Sequence, residues 1–171
     1  MCRPAASRAR DKSSVCNALQ VGAGGDIRIA HFDRAMQDAF RWLVLDGMAE
    51  RWGSVDDSLN PDLDDIDTHY RNDCELVALD GPLIVGTGIL LLRAAEGEIV
   101  RMSVHRDYRR RGVARQLLAE LHHLESENVV SRIVVETNAK WTEAHSLYKT
   151  SGFTFTHSAP ALLGESASMN F

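Results

Sequence analysis

Patterns of apolar and polar residues divide the chain after residue 26 into short strands and helices. Residues 27–32 alternate between two faces, which is typical of a strand. From Met36 to Met48 apolar residues recur every three or four positions, which predicts a long helix capped by Asp33 and ended by Trp52-Gly53. A second helix is expected from Asn60-Pro61 to about Tyr70, because proline is favoured in a first helical turn.

The pattern continues with strands, turns and two more helices. Asp80-Gly81 is a strong hairpin signal between strands at 75–79 and 83–92. A turn at Ala95-Glu96-Gly97 leads to a strand over 98–104, and a helix follows over 112–125. The remaining expected elements are a strand over 133–137 buried on both sides, a helix from a Thr142 cap to Gly152, and strands over 153–157 and 168–171.

This order predicts the fold class. It runs β-α-α-β-β-β-α-β-α-β, with one further strand at the end, which indicates a mixed α/β (α+β) fold. We expect a central mixed sheet of six to seven strands with about four helices on its faces. The length suits a single domain over residues 26–171, and residues 1–25 are expected to form a disordered tail. For the strand that begins near residue 168 two alternatives stay open, a strand that is cut off at Phe171 or one that is short.

Composition and charge exclude several classes of protein. A net charge of −5 disfavours nucleic acid as a partner, and no apolar run is long enough to span a membrane. The three cysteines, Cys2, Cys16 and Cys74, show neither metal spacing nor a disulfide framework, which favours a reducing, cytoplasmic location. The histidines imply no metal, since the adjacent pair His122-His123 cannot face one ion from a helix.

The first chemical motif is Arg109-Arg110-Arg111-Gly112-Val113-Ala114, between an apolar strand and an amphipathic helix. Unpaired N–H groups at a helix start bind phosphate oxygens, and a glycine lets the phosphates approach the backbone closely. The N–H groups of Arg110 to Ala114 would therefore wrap a diphosphate. Arg109 to Arg111 and Arg115 add positive charge. The alternative is a solvated basic turn that opens an ordinary helix.

The second motif is Ala144-His145-Ser146-Leu147-Tyr148, followed by Gly152-Phe153. On a short helix Ala144, Leu147 and Tyr148 share a face, so Tyr148 points inward and its phenol is a candidate proton donor. The alternative is a core tyrosine whose hydroxyl is hydrogen-bonded by the backbone.

With both motifs in place, the chain resembles the GNAT superfamily of acetyl-CoA-dependent N-acetyltransferases. The family pattern Arg/Gln-x-x-Gly-x-Gly/Ala is met by Arg109, Gly112 and Ala114, and specific matching covers residues 98–155, about a third of the chain. The resemblance implies acetyl-CoA as cosubstrate and transfer of its acetyl group to an amine.

The resemblance also implies roles for individual residues. Tyr148 would lie beside the coenzyme A sulfur as general acid, and Asn138 would hydrogen-bond the pantetheine arm unless it only forms a turn. Backbone N–H groups of Met102, Ser103 and Val104 would bind the thioester oxygen. Glu98 is the candidate general base, expected to share a strand face with Val100, Met102 and Val104 and to have a raised pKa. The alternative is an exposed glutamate at the strand edge.

The acceptor is less defined by the sequence. Residues 56–73 are strongly acidic, which would attract a cationic amine, although helix N-terminal charge and solubility explain the same pattern. We therefore expect an N-acetyltransferase that acts on a primary amine of a small molecule or amino acid by direct attack in a ternary complex. The alternatives are a non-catalytic acyl-CoA-binding module and a peptide or protein N-acetyltransferase. Pairing through a sheet edge leaves a homodimer open.

Overall fold

Seven strands and four α-helices make up the part of the chain that the computed structural model describes, residues 27–93, 96–127, 130–161 and 164–170. The strands are β1 (Ile27–His31), β2 (Cys74–Asp80), β3 (Leu83–Arg93), β4 (Glu96–Val104), β5 (Arg132–Asn138), β6 (Thr154–Ala161) and β7 (Gly164–Asn170). The helices are α1 (Gln37–Trp52), α2 (Ile66–His69), α3 (Val113–Glu127) and α4 (Thr142–Thr150). The predicted element order and fold class are confirmed. The expected tail over residues 1–25 lies outside the described residues.

The strands form one mixed sheet in the order β1-β2-β3-β4-β5-β7-β6. Strands β4 and β5 are parallel, and the helix α3 lies in the connection between them, as a parallel crossover requires. Their pairing runs only from Glu96↔Arg132 to Ile99↔Val135. Beyond that point the two strands separate, and this opening positions the candidate site.

The core consists of one apolar layer on each face of the sheet. Helix α3 buries the predicted stripe of Val113, Leu117, Leu121 and Leu124 on one face. Helix α1 packs on the other face through residues such as Phe40. Strand β2 contributes alternate side chains to both layers, as expected for a central strand. The amphipathic patterns of the two long helices therefore correctly predict which faces are buried.

The predicted helix over residues 60–70 is wrong. The chain instead forms two 3-10 turns, Asp57–Leu59 and Pro61–Leu63, followed by the four-residue α2. Aspartate side chains here accept hydrogen bonds from nearby backbone N–H groups, such as Asp65 from Thr68 at 3.1 Å. Such local bonds compete with a continuous helix. Asp33 likewise caps a 3-10 turn before α1 rather than α1 itself.

Several strand boundaries also differ from the prediction. Glu96 and Gly97 belong to β4 rather than to a turn, and the hairpin loop is Gly81-Pro82, with Gly81 at φ +55°. Strand β5 is buried on one side only, since Glu136 is exposed. The last strand, β7, begins at Gly164 rather than near residue 168, and it has seven residues and pairs with both β5 and β6, which does not fit the alternative of a short strand.

Candidate active site

A cavity of about 660 Å³ opens where β4 and β5 separate. This volume lies in the range typical of small-molecule sites. Its walls come from residues 98–104 of β4, the second half of β5, the C-terminal half of α1, residues 61–70, the first turn of α3 and helix α4. Elements distant in sequence thus meet at one opening in the sheet.

Strand β4 carries a bulge at the centre of the cavity wall. Thr87 pairs with Ser103 while Ile89 pairs with Val100, so β4 has one residue more than β3 across this stretch. Arg101 takes φ +54°, in the left-handed region that side chains rarely adopt. The bulge therefore interrupts the alternation of faces along β4.

This bulge overturns one prediction about β4. Val100 packs with the α1 layer, whereas Met102 and Val104 pack with the α3 layer. Glu98 therefore shares a face with Val100 but not with Met102 and Val104, because the extra residue turns the end of the strand over.

Met102, Ser103 and Val104 line the cavity. Binding of a thioester oxygen by their backbone N–H groups stays a prediction. Beyond Ile99 the edge of β4 that faced β5 opens onto this cavity. The Ser103 hydroxyl donates a hydrogen bond of 3.1 Å to the backbone oxygen of Leu43 on α1. A Cβ on Gly47 would lie 2.5 Å from the Ser103 hydroxyl oxygen, so glycine allows α1 to come this close. Contacts with α1 thus fix this stretch of backbone.

The start of α3, residues 112–115, reaches the cavity through Ala114. We call these residues the mouth of α3. The first helical bond here runs from the Gln116 N–H to the Gly112 oxygen at 3.0 Å, so the N–H groups of Val113, Ala114 and Arg115 lack helical acceptors. Gly112 has φ +85°, and a Cβ built on it meets nothing within 4 Å. Its backbone conformation therefore requires glycine, and the space above it is open for a ligand.

The arginines of this motif differ in their surroundings. Arg109 lines the cavity, donates a hydrogen bond of 3.1 Å to the Val104 oxygen and forms an ion pair with Glu50 on α1. The guanidinium of Arg111 stacks over the Tyr108 ring at 5.1 Å. Arg110 and Arg115 are exposed beside the mouth. Arg109 thus braces the cavity wall, while the exposed arginines supply charge around the mouth.

The end of α4 fixes the position of Tyr148. The Phe153 N–H bonds to the Tyr148 oxygen at 3.0 Å, and the Gly152 N–H bonds to the Lys149 oxygen at 3.2 Å. Gly152 takes φ +99°, and the rings of Tyr148 and Phe153 lie 5.6 Å apart. These are the features of a Schellman motif with its apolar contact. The Gly152-Phe153 pair therefore anchors the helical turn that carries Tyr148.

The Tyr148 side chain is 5% exposed and lines the cavity. Its hydroxyl makes no hydrogen bond with any described residue, unlike that of a core tyrosine satisfied by the backbone. Burial raises the pKa of Tyr148 to about 12, although the charge of Arg51 acts in the opposite direction. At neutral pH the phenol is thus protonated and able to donate a proton.

Glu98 lies half-buried on the same cavity wall. Its carboxylate makes no hydrogen bond or ion pair with any described residue. Burial, and then the negative charge of Glu136 on β5, raise the pKa of Glu98 above its ordinary value. A half-buried carboxylate without a partner is suited to accept a proton.

The structure does not bring Asn138 into the cavity wall. Its side-chain oxygen accepts a hydrogen bond of 3.0 Å from the Lys140 N–H, and its backbone oxygen accepts one of 3.0 Å from the Trp141 N–H. This geometry is that of the turn-forming alternative. Contact between Asn138 and a pantetheine arm stays a prediction.

Sequence reasoning missed an aromatic group at the cavity. The guanidinium of Arg51 stacks over the Trp141 ring at 4.3 Å, and the rings of Trp52 and Trp141 lie 5.2 Å apart. All three residues line the cavity and join the end of α1 to the loop between β5 and α4. No pattern signals this contact, because the partners lie on separate elements.

The acidic stretch is largely engaged in local structure. Asp56 and Asp65 accept capping hydrogen bonds, Asp57 and Asp64 face Arg41, and Asp65 and Asp67 face Arg34. Asp62 lines the cavity, but it is paired with Arg101 at 2.6 Å. The acidic residues of 56–73 therefore fit the alternative of helix N-terminal charge and solubility better than the attraction of a cationic acceptor.

Two further observations describe the part of the chain that the structure covers. Within it, no group of three or more His, Cys, Asp or Glu side chains is placed to hold a metal ion. In the same residues, no helix combines the length and apolar character needed to cross a membrane.

Comparison with known families identifies the same region. Residues 71–155, about half of the chain, match the family model of an acetyltransferase (GNAT) domain. This range contains Glu98, the mouth of α3 and Tyr148. A comparison with curated proteins found no match.

Solved structures share the fold over most of this chain. An acetyltransferase of the GNAT family from Staphylococcus aureus is 22% identical with a TM-score of 0.75, covering 84% of this chain and 97% of that one. The PaiA N-acetyltransferase from Thermoplasma acidophilum, solved in complex with coenzyme A, is 13% identical with a TM-score of 0.72, covering 85% and 98%. The ribosomal-protein-alanine N-acetyltransferase from Brucella melitensis is 18% identical with a TM-score of 0.70, covering 84% and 98%. At such identities the likeness is one of fold.

Proposed function

The chain belongs to the GNAT superfamily of acetyltransferases, and on that premise we propose that it moves the acetyl group of acetyl-CoA to a primary amine of a small molecule or amino acid. One observation carries the proposal. A buried tyrosine hydroxyl that bonds to no described residue shares a cavity with the open mouth of a helix. These are a proton donor and a phosphate site, which acyl transfer from coenzyme A requires.

The mouth of α3 would hold the diphosphate. The N–H groups from Arg110 to Ala114 would donate to its oxygens, and the positive end of the helix dipole would add attraction. The exposed Arg110 and Arg115 raise the local positive charge. From the mouth the cavity leads along the open edge of β4, where the pantetheine arm would lie. When bound, acetyl-CoA supplies an acetyl group activated as a thioester.

Glu98 and Tyr148 would divide the proton transfers between them. Glu98 accepts a proton from the ammonium group, directly or through water, and the free amine attacks the acetyl carbon. As the new N–C bond forms, backbone N–H groups of Met102 to Val104 stabilise the oxyanion. The C–S bond then breaks as Tyr148 gives its proton to the sulfur. The tyrosinate takes the remaining excess proton from the amide nitrogen, and Glu98 releases its proton to solvent. The attack is direct, within a ternary complex.

The acceptor is proposed from the character of the cavity. Its volume of about 660 Å³ has room for a small amine beside the thioester. The unpaired Glu98 carboxylate favours a group that arrives as an ammonium ion. The fold likeness to a ribosomal-protein-alanine N-acetyltransferase favours, as a second candidate, the N-terminal amine of a protein.

Mass spectrometry of reactions with acetyl-CoA tests the proposal. We expect an acetylated product and free coenzyme A with at least one member of a panel of small amines, amino acids, polyamines and short peptides. Tyr148→Phe should lower kcat about 10²- to 10⁴-fold, because the leaving sulfur loses its proton donor. Its thermal stability should be close to that of the wild type, because the hydroxyl bonds to no described residue.

Other results would point elsewhere. Products with peptides alone would identify a protein or peptide N-acetyltransferase. Binding of acetyl-CoA without turnover of any amine would contradict the proposal in favour of a non-catalytic acyl-CoA-binding module.

A further inference from the structure

A cluster of polar side chains is centred on Arg101, in the bulge of β4. Arg101 donates to both carboxylate oxygens of Asp62, from Nε at 2.8 Å and from Nη2 at 2.6 Å. Its Nη1 donates to the side-chain oxygen of Asn60 at 3.0 Å. The Tyr70 hydroxyl donates to Asp62 at 2.5 Å. We call Arg101, Asp62, Asn60 and Tyr70 the Arg101 cluster.

The cluster is buried although it is polar. Asn60, Asp62 and Tyr70 are 5%, 8% and 5% exposed. Burial alone would raise the pKa of Asp62, but hydrogen bonds from Tyr70 and Arg101 outweigh it and hold that pKa below its ordinary value. Burial and the bond to Asp62 raise the pKa of Tyr70 to about 12. The ion pair and its tyrosine donor are therefore fully formed at neutral pH.

A buried ion pair is a poor source of net stability, because removing two charges from water offsets most of their attraction. Its fixed geometry can instead select a single arrangement, as the two-pronged contact between a guanidinium and a carboxylate does. Here the cluster joins two parts of the chain that are 39 residues apart in sequence. One part is the bulge, and the other is the stretch of short turns over residues 57–70.

Both parts are weakly held by regular structure. Arg101 has a left-handed backbone conformation that only glycine adopts without cost, and its oxygen accepts a hydrogen bond of 2.9 Å from the buried Thr87 hydroxyl. Residues 57–70 contain two 3-10 turns and a four-residue helix, which supply few helical bonds. Members of the cluster also line the cavity from both parts, namely Asp62, Tyr70 and Arg101.

We propose that Arg101 is a positioning residue, which ties the wall formed by residues 61–70 to the β4 bulge. The inference rests on the proposed function. The wall would hold the acceptor amine, and the backbone of 102–104, directly after the bulge, would hold the thioester. The Arg101 cluster fixes the separation between them. A shift of about 1 Å in such a separation can lower a rate about a hundredfold.

Three variants separate positioning from folding. Arg101→Gly removes the side chain but keeps a residue that adopts φ +54° without cost. Asp62→Asn keeps the shape of the carboxylate and removes its charge. Asp57→Asn is the matched control, because it removes an exposed ion pair with Arg41 at 3.1 Å from the same stretch without touching β4.

Hydrogen exchange and steady-state kinetics are the measurements. Arg101→Gly and Asp62→Asn should speed amide exchange at residues 101–104, raise KM for the amine and lower kcat at least about tenfold. The Kd for acetyl-CoA should change much less, because the mouth of α3 sets it. Arg101→Lys, which keeps the charge but not the two-pronged contact, should recover part of kcat relative to Arg101→Gly. The control Asp57→Asn should match the wild type.

Two results would contradict a positioning role for Arg101 or the function on which it rests. A lower melting temperature with unchanged exchange at 101–104 and unchanged kinetics would show that the cluster is only structural, and would overturn the inference. If the wild type turns over no amine, the proposed function fails, and amide exchange still decides whether the cluster holds the bulge.

Discussion

Burial raises the pKa of both Tyr148 and Glu98, but the consequences for the two residues are opposite. Tyr148 reaches a pKa of about 12, so its phenol stays protonated throughout the neutral range. Glu98 starts from an ordinary value of 4.5 and is raised from there by burial and by Glu136. It becomes a better base while still ionising below the pH at which Tyr148 does. One cavity thus holds a proton donor and a proton acceptor, whose different side chains and surroundings keep their pKa values apart.

The pH dependence of kcat tests the role of Glu98 as the general base. The base must be ionised, so kcat should fall as pH drops through the Glu98 pKa, at a pH above the ordinary value of 4.5. Glu98→Gln should lower kcat and abolish this acid limb. Glu136→Gln should keep the limb but move it to lower pH, because it removes the second cause of the raised pKa. An acid limb that persists unchanged in Glu98→Gln would contradict the assignment.

Stability provides a control for the same variant. The folded state favours the protonated form of Glu98, since its pKa is raised there. Glu98 therefore contributes to the free energy of unfolding at low pH, and this contribution is lost as pH rises through the Glu98 pKa. At neutral pH Glu98→Gln should consequently be at least as stable as the wild type, so a loss of activity would not reflect unfolding.

At the scale of elements, the mouth of α3 depends on one backbone conformation. Gly112 at φ +85° ends the turn that precedes the helix, and the space above it is open. Gly81, in the hairpin between β2 and β3, also has positive φ and open space, but it precedes no helix start. The two glycines therefore form a matched pair.

Alanine at each glycine separates backbone strain from ligand binding. Both Gly112→Ala and Gly81→Ala should cost about 1–2 kcal/mol of stability, measured by denaturant unfolding. Only Gly112→Ala should weaken acetyl-CoA binding, about tenfold or more, or roughly 1.4 kcal/mol, because it distorts the turn that presents the N–H groups. Equal affinity in the two variants would remove the mouth of α3 from the binding site.

Elements with a strong local pattern could be predicted from the sequence, and those set by long-range contacts could not. The stripe from Val113 to Leu124 predicted α3, and Gly152-Phe153 marked the end of α4 that anchors Tyr148. The bulge at Arg101 has no local signal, because an arginine does not indicate positive φ. The contact of Arg101 with Asp62 could not be predicted either, because Asp62 lies 39 residues away in sequence.

At the scale of the whole molecule, the site exists because two parallel strands pair over four residues each and then separate. Helix α3, between them in the chain, brings its open mouth to the cavity, and α4, after β5, brings Tyr148 to the same cavity. Helix α1 and residues 61–70 close the remaining side. Each functional group is thus positioned by a different element, and the separation of β4 from β5 lets them face a common space.

Calorimetric titration of the wild-type protein with acetyl-CoA, in parallel with S-acetylpantetheine, tests the central claim most directly. The two compounds share the thioester and the arm, but only acetyl-CoA carries the diphosphate. We predict saturable binding of one acetyl-CoA per chain and much weaker binding of S-acetylpantetheine, because the mouth of α3 supplies the phosphate contacts. An absence of heat with acetyl-CoA, or equal affinity for both compounds, would contradict the account.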